Sequence, residues 1–395
     1  MGRKLTKSRE YLRRAEKIIP CATQTLSKGP SQYVQGVAPI YLERGKGSHV
    51  WDVDGNEYID YVMALGPVIL GYAYPRVDEA IIEQLKKGIS FSLMHPLEVE
   101  LSELLTKIIP CADMVRFAKN GSDVTSAAIR ASRAYTGREK IAQCGYHGWQ
   151  DWCICNTSRN KGIPKLTKSL TLTFKYDQIE SLEKIFAENK NEIAAVIMEP
   201  VGVEKPKNDF LKKVKGLAHE NGALLIFDEI VTGFRMALGG AQQYFGVTPD
   251  LACFGKAMAN GMPLAALVGK KEIMKEFEDI FFSLTFGGEA LSLAASLATI
   301  KEIREKNVIK YVWEKGEQLK DGYNKLSTES GLSNYTECVG WGPRAIIKFV
   351  DENGDESLEM KSLFQQEVIK RGILWMYHMI SYSHSGGDIE KTLQV

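Results

Sequence analysis

Short apolar runs alternate with amphipathic segments through the middle of the chain. The runs that predict strands are short, apolar and nearly free of charge: Met114 to Ala118, Lys140 to Cys144, Ser169 to Phe174, Ala194 to Met198 and Ala223 to Phe227. Helical periodicity fills several of the intervals between them. This alternation is typical of a parallel or mostly parallel sheet with helices on both faces, so we expect an α/β fold.

The two ends of the chain have a different pattern. Residues Lys7 to Ile19 predict an amphipathic helix, and Tyr41 to Tyr61 alternates and turns at Asp54-Gly55, as an antiparallel hairpin does. Near the other end we expect one long charged helix, Ala294 to Ser327, then two strands and a helix from Glu356 to Arg371. Both ends therefore predict a smaller α+β unit.

Length and pattern together predict two domains, because 395 residues exceed one ordinary domain. We place the large domain at residues 61–293 and the smaller one at residues 294–395, with the N-terminal segment 1–60 joining it. The chain stops soon after a helix begins near Asp388. This leaves open whether the C-terminus is clipped or simply short.

Composition narrows the class of partner. Charged residues make up 25% of the chain and the formal net charge is +1, so nothing favours nucleic acid or an anionic membrane. The seven cysteines are scattered and form no Cys-x-x-Cys pair, which favours reduced thiols in the cytoplasm over disulfides or zinc. No run of about 18 apolar residues is available to span a bilayer. We expect a small-molecule partner, no metal and no membrane.

One charged side chain, Lys256, interrupts the apolar segment from Leu251 to Gly269. A desolvated amine tends to lose its proton, and a neutral amine is what carbonyl chemistry needs, so Lys256 is a candidate Schiff-base nucleophile. Asp228 ends the apolar run Ala223 to Phe227. Pyridoxal phosphate requires such a lysine for its aldehyde and such an acid for its ring nitrogen. The alternative is that Asp228 caps a turn and Lys256 reaches the surface.

Other strand ends carry further candidates. The turn Asn120-Gly121-Ser122 precedes a helix and predicts an anion cradle for a phosphate, unless Ser122 or Asp123 is only an N-cap. Tyr146 follows a predicted strand, where an aromatic ring can lie on a planar cofactor, and His147 beside it is interpreted as a structural histidine. Glu199 either adds an acid to the same cleft or is a solvated loop acid.

Several co-linear motifs closely resemble the class III pyridoxal-phosphate aminotransferases, above all the glutamate-1-semialdehyde 2,1-aminomutase branch. They are GKGSHVWDVDGNEYIDY (Gly45 to Tyr61), VRFAKNGSDVTSAAIRASRAYTGR (Val115 to Arg138), FDEIVTGFR (Phe227 to Arg235), GGAQQYFGVTPDLACFGKAMANGMP (Gly239 to Pro263) and TFGGEALSLAA (Thr285 to Ala295). The resemblance implies fold type I, with a mostly parallel seven-stranded sheet in the large domain and a smaller α+β domain built from both termini.

The resemblance also implies roles for individual residues. Lys256 matches the lysine that holds the cofactor's aldehyde and shuttles a proton, and Asp228 matches the partner of the ring nitrogen. Ile230 and Tyr146 match the side chains that pack against the two faces of the ring. The remaining matches concern the phosphate: Gly121 and Ser122 in the binding turn, and Thr285 reaching the phosphate of the neighbouring subunit. The last match implies a homodimer.

Departures from the family pattern bear on the reaction. The usual Asn-Ser-Gly-Thr-Glu turn is Lys119 to Asp123 here, Glu289-Ala290 replaces Asn-Pro, and Thr23 to Lys28 stands where aminomutases have a Ser-Pro-Val-Arg-like segment. These changes favour a transaminase that moves an amino group from a donor amino acid to an aldehyde or ketone, with a sugar-like carbonyl as one candidate. The alternatives are an intramolecular aminomutase and, from another class, an inactive aminotransferase-like binding protein. Arg235 either holds a carboxylate or forms a structural ion pair.

Overall fold

The computed structural model describes residues 3–395. In chain order its strands are β1 (Leu42–Lys46), β2 (His49–Asp52), β3 (Glu57–Asp60), β4 (Met114–Ala118), β5 (Lys140–Cys144), β6 (Thr171–Thr173), β7 (Ile193–Met198), β8 (Leu224–Asp228), β9 (Leu251–Phe254), β10 (Ala265–Gly269), β11 (Thr336–Trp341), β12 (Arg344–Phe349) and β13 (Ile373–Leu374).

In chain order its α-helices are α1 (Thr6–Ile18), α2 (Pro75–Leu85), α3 (Pro96–Ile108), α4 (Gly121–Thr136), α5 (Asp151–Ile154), α6 (Lys165–Ser169), α7 (Ile179–Glu188), α8 (Phe210–Glu220), α9 (Ala241–Phe245), α10 (Lys271–Met274), α11 (Ala290–Glu305), α12 (Val308–Glu329), α13 (Leu358–Lys370) and α14 (Gly386–Gln394). Within residues 3–395, no helix combines the length and the apolar character needed to cross a membrane.

The chain divides into two compact units. One comprises the chain up to Pro75 together with Lys310–Val395, and the other comprises Arg76–Ile309. We call them the terminal unit and the central unit. The sequence placed the corresponding boundaries after residues 60 and 293, so the structural boundaries lie about 15 residues later along the chain at both points.

The central unit is built on a seven-stranded sheet with the order β4-β10-β9-β8-β7-β5-β6. Strand β10 is antiparallel to both of its neighbours, and the other paired strands run parallel. Strands β7 to β10 are buried along their whole length because helices cover both faces of the sheet. Alternate residues of β7 enter different apolar clusters, Ala195 and Ile197 in one and Val196 and Met198 in the other. The predicted mostly parallel α/β sheet is confirmed.

Two strands of this sheet, β9 and β10, were not among the predicted runs. Both lie inside the apolar segment around Lys256, where periodicity cannot separate strand from loop because few polar residues mark the boundaries. The run predicted from Ser169 to Phe174 is shorter in the structure, because α6 continues to Ser169 and β6 occupies only three residues.

The terminal unit contains the sheet β1-β2-β3-β13 and the separate pair β11-β12. The predicted hairpin from Tyr41 to Tyr61 is a three-stranded antiparallel ribbon, to which β13 adds in parallel beside β3. The single long helix predicted from Ala294 to Ser327 is wrong. The structure has α11 and α12, separated at Asn307, whose φ of 52° lies in the left-handed region that asparagine tolerates better than most residues.

Candidate active site

The carboxyl ends of the parallel strands meet at one edge of the central sheet. Cys144 at the end of β5 pairs with Met198 of β7, and Met198 in turn pairs with Phe227 of β8. Asp228 pairs with Cys253 of β9. The loops that follow these strands therefore start side by side, and they carry Tyr146, Glu199, Asp228 and Lys256.

The side chain of Ile230 connects three of these loops. A methyl group added to Gly121 would lie 2.5 Å from Ile230 Cδ1, and one added to Gly255 would lie 3.7 Å from Ile230 Cγ2. Ile230 therefore packs between the turn that follows β4 and the residue that precedes Lys256. The structure brings together Gly121, Ile230 and the start of the Lys256 segment, as the sequence predicted for one site.

Asp228 is an almost fully buried acid, with 4% of its surface exposed. Its Oδ2 lies 2.8 Å from Nδ1 of His147, and its Oδ1 accepts a hydrogen bond of 3.1 Å from the backbone N–H of Ile230. A buried carboxylate needs donors to offset its lost hydration, and here a side chain and the backbone supply them. These two hydrogen bonds, one to each oxygen, thus fix the orientation of the Asp228 carboxylate.

His147 is held rigidly against Asp228. Its Nε2 lies 3.0 Å from the carbonyl oxygen of Cys144, and because a carbonyl can only accept, this nitrogen carries a proton. The backbone carbonyl of His147 accepts from the Thr125 hydroxyl at 2.7 Å, and its N–H donates to Cys153 Sγ at 3.1 Å. Burial raises the pKa of the Cys153 thiol to about 11, so this sulfur stays uncharged near neutrality.

The sequence interpretation of His147 as a satisfied structural histidine missed its main partner. Both ring nitrogens are indeed hydrogen-bonded, but one of the bonds goes to the acid of the candidate site. The sequence signal that pointed to a role in the site was the position of His147 next to Tyr146, just after a predicted strand. Two strand ends that carry a histidine and an acid bring them together only if the strands lie close in the sheet, and strand order is not readable from one sequence.

The turn before α4 has the geometry of an anion site. Gly121 and Ser122 are the first residues of a 16-residue helix, so their N–H groups have no acceptor within the helix. Gly148 has a φ of 137°, and a methyl group added to it would lie 2.6 Å from Ser122 Cβ. Only glycine therefore allows the loop containing Tyr146 to approach the helix start this closely.

Tyr146 and Lys256 complete the edge. Tyr146 follows β5 and 65% of its surface is exposed, so its ring is available to a ligand. Lys256 is half-buried and starts a short 3₁₀ helix, Lys256–Ala259, whose other residues are buried. Its φ of 40° lies in the left-handed region, which costs free energy for a residue with a side chain. Strain of this kind is concentrated at functional sites.

Two further charged residues next to Asp228 are fully buried. Glu229 accepts from the Thr232 hydroxyl and from the backbone N–H groups of Ala241 and Gln242 at 2.7 and 2.8 Å. Burial raises the pKa of Glu229 to about 7, against the lowering effect of these bonds. Arg235 is 1% exposed. Glu229 thus anchors the start of α9, a structural role that the sequence did not assign.

Thr285 lies on an exposed loop that precedes α11. The loop begins in a segment with a highly exposed aromatic, Phe281, and it contains Phe286, which is 58% exposed. The expected contact of Thr285 is with a neighbouring subunit, so it stays a prediction.

These residues fit pyridoxal phosphate, a planar phosphorylated aldehyde. The free N–H groups at the start of α4 suit its phosphate, the buried and oriented Asp228 suits a protonated ring nitrogen, and the missing Cβ atoms at Gly121 and Gly148 keep the backbone close. Among residues 3–395, no group of three or more His, Cys, Asp or Glu side chains is placed to hold a metal ion.

Known proteins with the same sequence pattern share this fold. The family model described as aminotransferase class-III matches residues 32–352. The chain is 38% identical over 402 residues to 3-aminobutyryl-CoA aminotransferase of Cloacimonas acidaminovorans (strain Evry), covering 99% of this chain and 96% of that protein. It is 39% identical over 421 residues to glutamate-1-semialdehyde 2,1-aminomutase of Acetivibrio thermocellus, covering 99% and 96%.

A solved structure gives the same result. The pyridoxal-phosphate form of the FumI protein of Sphingopyxis sp. MTA144 superposes with a TM-score of 0.92 at 29% identity, covering 98% of this chain and 94% of that one. The expected fold is thereby confirmed. Since the family model and these relatives cover most of its length, the chain belongs to the class-III aminotransferases and is a pyridoxal-phosphate-dependent enzyme.

Proposed function

We propose that this enzyme moves an amino group from a donor amino acid to a separate aldehyde or ketone acceptor, at the edge formed by β4, β5, β8 and β9. The observation that carries the proposal is the buried Asp228–His147 pair, because Asp228 ends the strand next to the one that leads into Lys256. An acid held in this way serves electron withdrawal by a protonated ring nitrogen, which a binding protein would not need.

The cofactor, when bound, supplies an aldehyde that takes up the amino group and a ring that withdraws electrons from the donor carbon. Asp228 keeps a proton at the ring nitrogen, and His147 fixes the orientation of the acid. The N–H groups of Gly121 and Ser122, with the Ser122 hydroxyl, bind the phosphate. Tyr146 and Ile230 pack on the two faces of the ring and hold its plane.

Lys256 has two tasks in this proposal. Its amine would hold the aldehyde of the cofactor, and its Nζ would take the proton from the donor carbon. Its position at the start of a strained and mostly buried turn limits the conformations open to its backbone, so the amine is presented to one place. Since the donor product leaves before the acceptor enters, the route is ping-pong.

The donor and acceptor are open, and the relatives provide candidates to test. One relative is named for 3-aminobutyryl-CoA, whose amino group lies one carbon farther from the carbonyl than in an α-amino acid. A β-amino acyl thioester therefore belongs in the donor panel beside ordinary amino acids, with aldehydes, ketones and sugar-like carbonyls as acceptors.

Intramolecular aminomutation is the second candidate, because several relatives are named glutamate-1-semialdehyde 2,1-aminomutase. The two candidates differ in their need for a second substrate. The pyridoxal form is incubated with each donor alone, and the absorbance of the cofactor is followed. A transaminase should convert one equivalent of cofactor per site and then stop, and an added carbonyl acceptor should restore the original absorbance. Net turnover of glutamate 1-semialdehyde without any co-substrate would instead support the mutase.

We also propose that the enzyme is a homodimer. The central unit exposes large apolar side chains on two segments, Leu93 and Met94 on one and Phe281 and Phe286 on the other. A hydrogen bond of 2.9 Å from the Ala290 N–H to the Ile89 carbonyl joins the chain near the two segments, and we infer that their exposed side chains belong to one surface. A second copy covering it would bring Thr285 to the neighbouring cofactor.

Light scattering tests the dimer directly. The wild type should have twice the 44.1 kDa mass of the chain, and the double variant Met94→Glu with Phe281→Glu should shift the population to monomers. The matched control, Leu358→Glu, changes an exposed leucine of the terminal unit and should leave the mass unchanged. A monomeric wild type would contradict the proposal.

We place the enzyme in the cytoplasm, as the cysteine pattern predicts. All seven cysteines are free thiols and most of them are buried. Cell fractionation should recover the enzyme with cytoplasmic markers, and recovery with an exported fraction would contradict this placement.

A further inference from the structure

Two residues that depart from the family pattern contact each other. Lys119 immediately precedes the Asn120-Gly121-Ser122 turn, and Glu289 is the N-cap of α11. Their Nζ and Oε2 atoms are 2.9 Å apart, and the two side chains are only 15% and 11% exposed. Because both partners are largely withdrawn from solvent, this ion pair is screened far less than the surface pairs of the chain.

The Glu289 carboxylate is bound by four donors. Oε1 accepts from the Leu291 N–H at 2.6 Å, and Oε2 accepts from the N–H and the hydroxyl of Ser292 at 3.2 and 2.6 Å as well as from Lys119. Burial raises the pKa of Glu289, but the bonds from Ser292 and Lys119 outweigh it, and the net pKa is lowered. The acid is therefore charged near neutrality.

The N-terminus of a helix affects the negative charge of Glu289 and the positive charge of Lys119 in opposite ways. An acid at the start of α11 is favourable, because the N-terminus of a helix carries partial positive charge. Lys119 is two residues before the first residue of α4, and a positive charge near a helix start is unfavourable for the same reason. The ion pair therefore stabilises the Lys119 charge more than the Glu289 charge, because the start of α11 already binds Glu289.

The pair connects two segments that bear on the cofactor. On one side is the turn of Gly121 and Ser122, and on the other is the loop 285–289 that carries Thr285. The backbone of this loop already runs beside the end of β4, since a methyl group on Gly287 would lie 3.3 Å from the Phe117 carbonyl. Lys119 and Glu289 are the side chains that close this contact.

We propose that Lys119 and Glu289 are a positioning pair that holds the loop 285–289 against the phosphate turn, and that retention of pyridoxal phosphate depends on the pair. The inference rests on the proposed role of Gly121 and Ser122 in phosphate binding. Neither side chain is assigned a contact with the cofactor. They act by fixing the relative positions of the two backbone segments.

The test measures release of pyridoxal phosphate from the holoenzyme, by loss of its absorbance after dilution, in Lys119→Met, Glu289→Gln and the double variant. Each single variant should release the cofactor roughly tenfold faster, and the double variant should release it no faster than the worse single, because the two side chains act as one unit. Lys119→Arg should stay within about twofold of the wild type, since it keeps the cation.

The matched control is Lys140→Met. Lys140 forms a more exposed ion pair with Glu192 at the start of β5, at the opposite edge of the same sheet, and its loss should leave release unchanged. Wild-type release rates in both single variants, or effects that multiply in the double variant, would overturn the inference. So would a lowered melting temperature of the apoenzyme with unchanged release, because the pair would then be only structural.

Failure of the proposed function gives a different result. A wild type that takes up no pyridoxal phosphate would refute the phosphate turn and the pair together. Normal uptake by the wild type with unaltered release from the variants refutes only the pair.

Discussion

Both compact units bury ionisable groups, and two histidines of the terminal unit can be compared with a glutamate of the central unit. In the terminal unit His378 and His384 are fully buried, and burial lowers their pKa values to about 3 and about 4. In the central unit Glu229 is fully buried, and burial raises its pKa to about 7. The cause is the same in both units, because desolvation penalises the charged form whatever its sign. The consequences for stability have opposite signs.

The candidate site follows a different rule. Asp228 and Glu289 are also withdrawn from solvent, but each has a partner that can carry positive charge, His147 and Lys119. Buried groups without an ionic partner set the pH range in which the fold is stable. Buried groups with such a partner keep a charge where chemistry needs one. The following experiments separate these two uses of burial, from the largest expected effect to the smallest.

Lys256→Ala should lower transamination by about 10³-fold or more, because it removes both the amine that holds the aldehyde and the group that moves the proton. The readout is the single-turnover rate with any donor that reacts with the wild type. Lys271→Ala, at an exposed lysine, should keep the wild-type rate. Comparable rates in the two variants would mean that another side chain holds the cofactor.

The buried histidines should make the terminal unit sensitive to acid. Their folded pKa values are below the unfolded value of about 6.5, so the unfolded state binds protons more readily and stability is lost as the pH falls from about 6.5 towards 4. At pH 5 this amounts to about 2 kcal/mol for each histidine.

Urea unfolding at pH 7 and pH 5 measures this loss, and hydrogen exchange with mass spectrometry assigns it to a unit. The variants His378→Leu and His384→Leu should each flatten the dependence, even if they lower stability at pH 7. A loss of stability that appears in the central unit and is unaltered in both variants would contradict this account.

Glu229 should contribute a dependence of the opposite sign. Its folded pKa is above the unfolded value of 4.5, so its contribution to stability is fully present below about pH 4.5 and is lost as the pH rises towards 7. The change between pH 5 and pH 7 is about 2 kcal/mol. Glu229→Gln should abolish it, and the difference in unfolding free energy between wild type and variant at the two pH values measures it.

His147→Phe should lower the rate about 10- to 100-fold, as is typical when an outer hydrogen-bond partner is removed. The cofactor should still bind through Lys256, but the pH at which its absorbance titrates should shift, because Asp228 loses one of its two donors. An unchanged titration would show that His147 only fills space. Phe is chosen because it keeps the packing beside Trp152, whose ring lies parallel to His147.

Much of the central unit was predictable because its strands differ sharply from their surroundings. The runs of β4, β5, β7 and β8 were recognised within about one residue, since a short apolar run bounded by polar residues has few alternatives. The break between α11 and α12 was missed, because Asn307 is a single residue and helical periodicity continues on both sides of it. Strands β9 and β10 were missed because they lie in a segment that is apolar throughout.

Lys256 and Asp228 were likewise identified as candidates from the sequence, since a lone lysine in an apolar segment and an acid at a strand end are noticeable in themselves, and their chemical roles stay predictions. The contact of His147 with Asp228 and that of Lys119 with Glu289 were not readable, although all four residues had been noted. These pairs are 81 and 170 residues apart in the chain. Local pattern carries no information over such separations.

The amino-acid sequence by itself determined the class of fold, the family and the candidates for holding the cofactor, because these depend on which residues stand at the ends of buried strands. Only the tertiary structure decided which of those residues meet. The order of the strands in the sheet places β5 two strands from β8 and lets His147 reach across to Asp228. The burial that shifts each pKa likewise exists only once the helices have closed over the sheet.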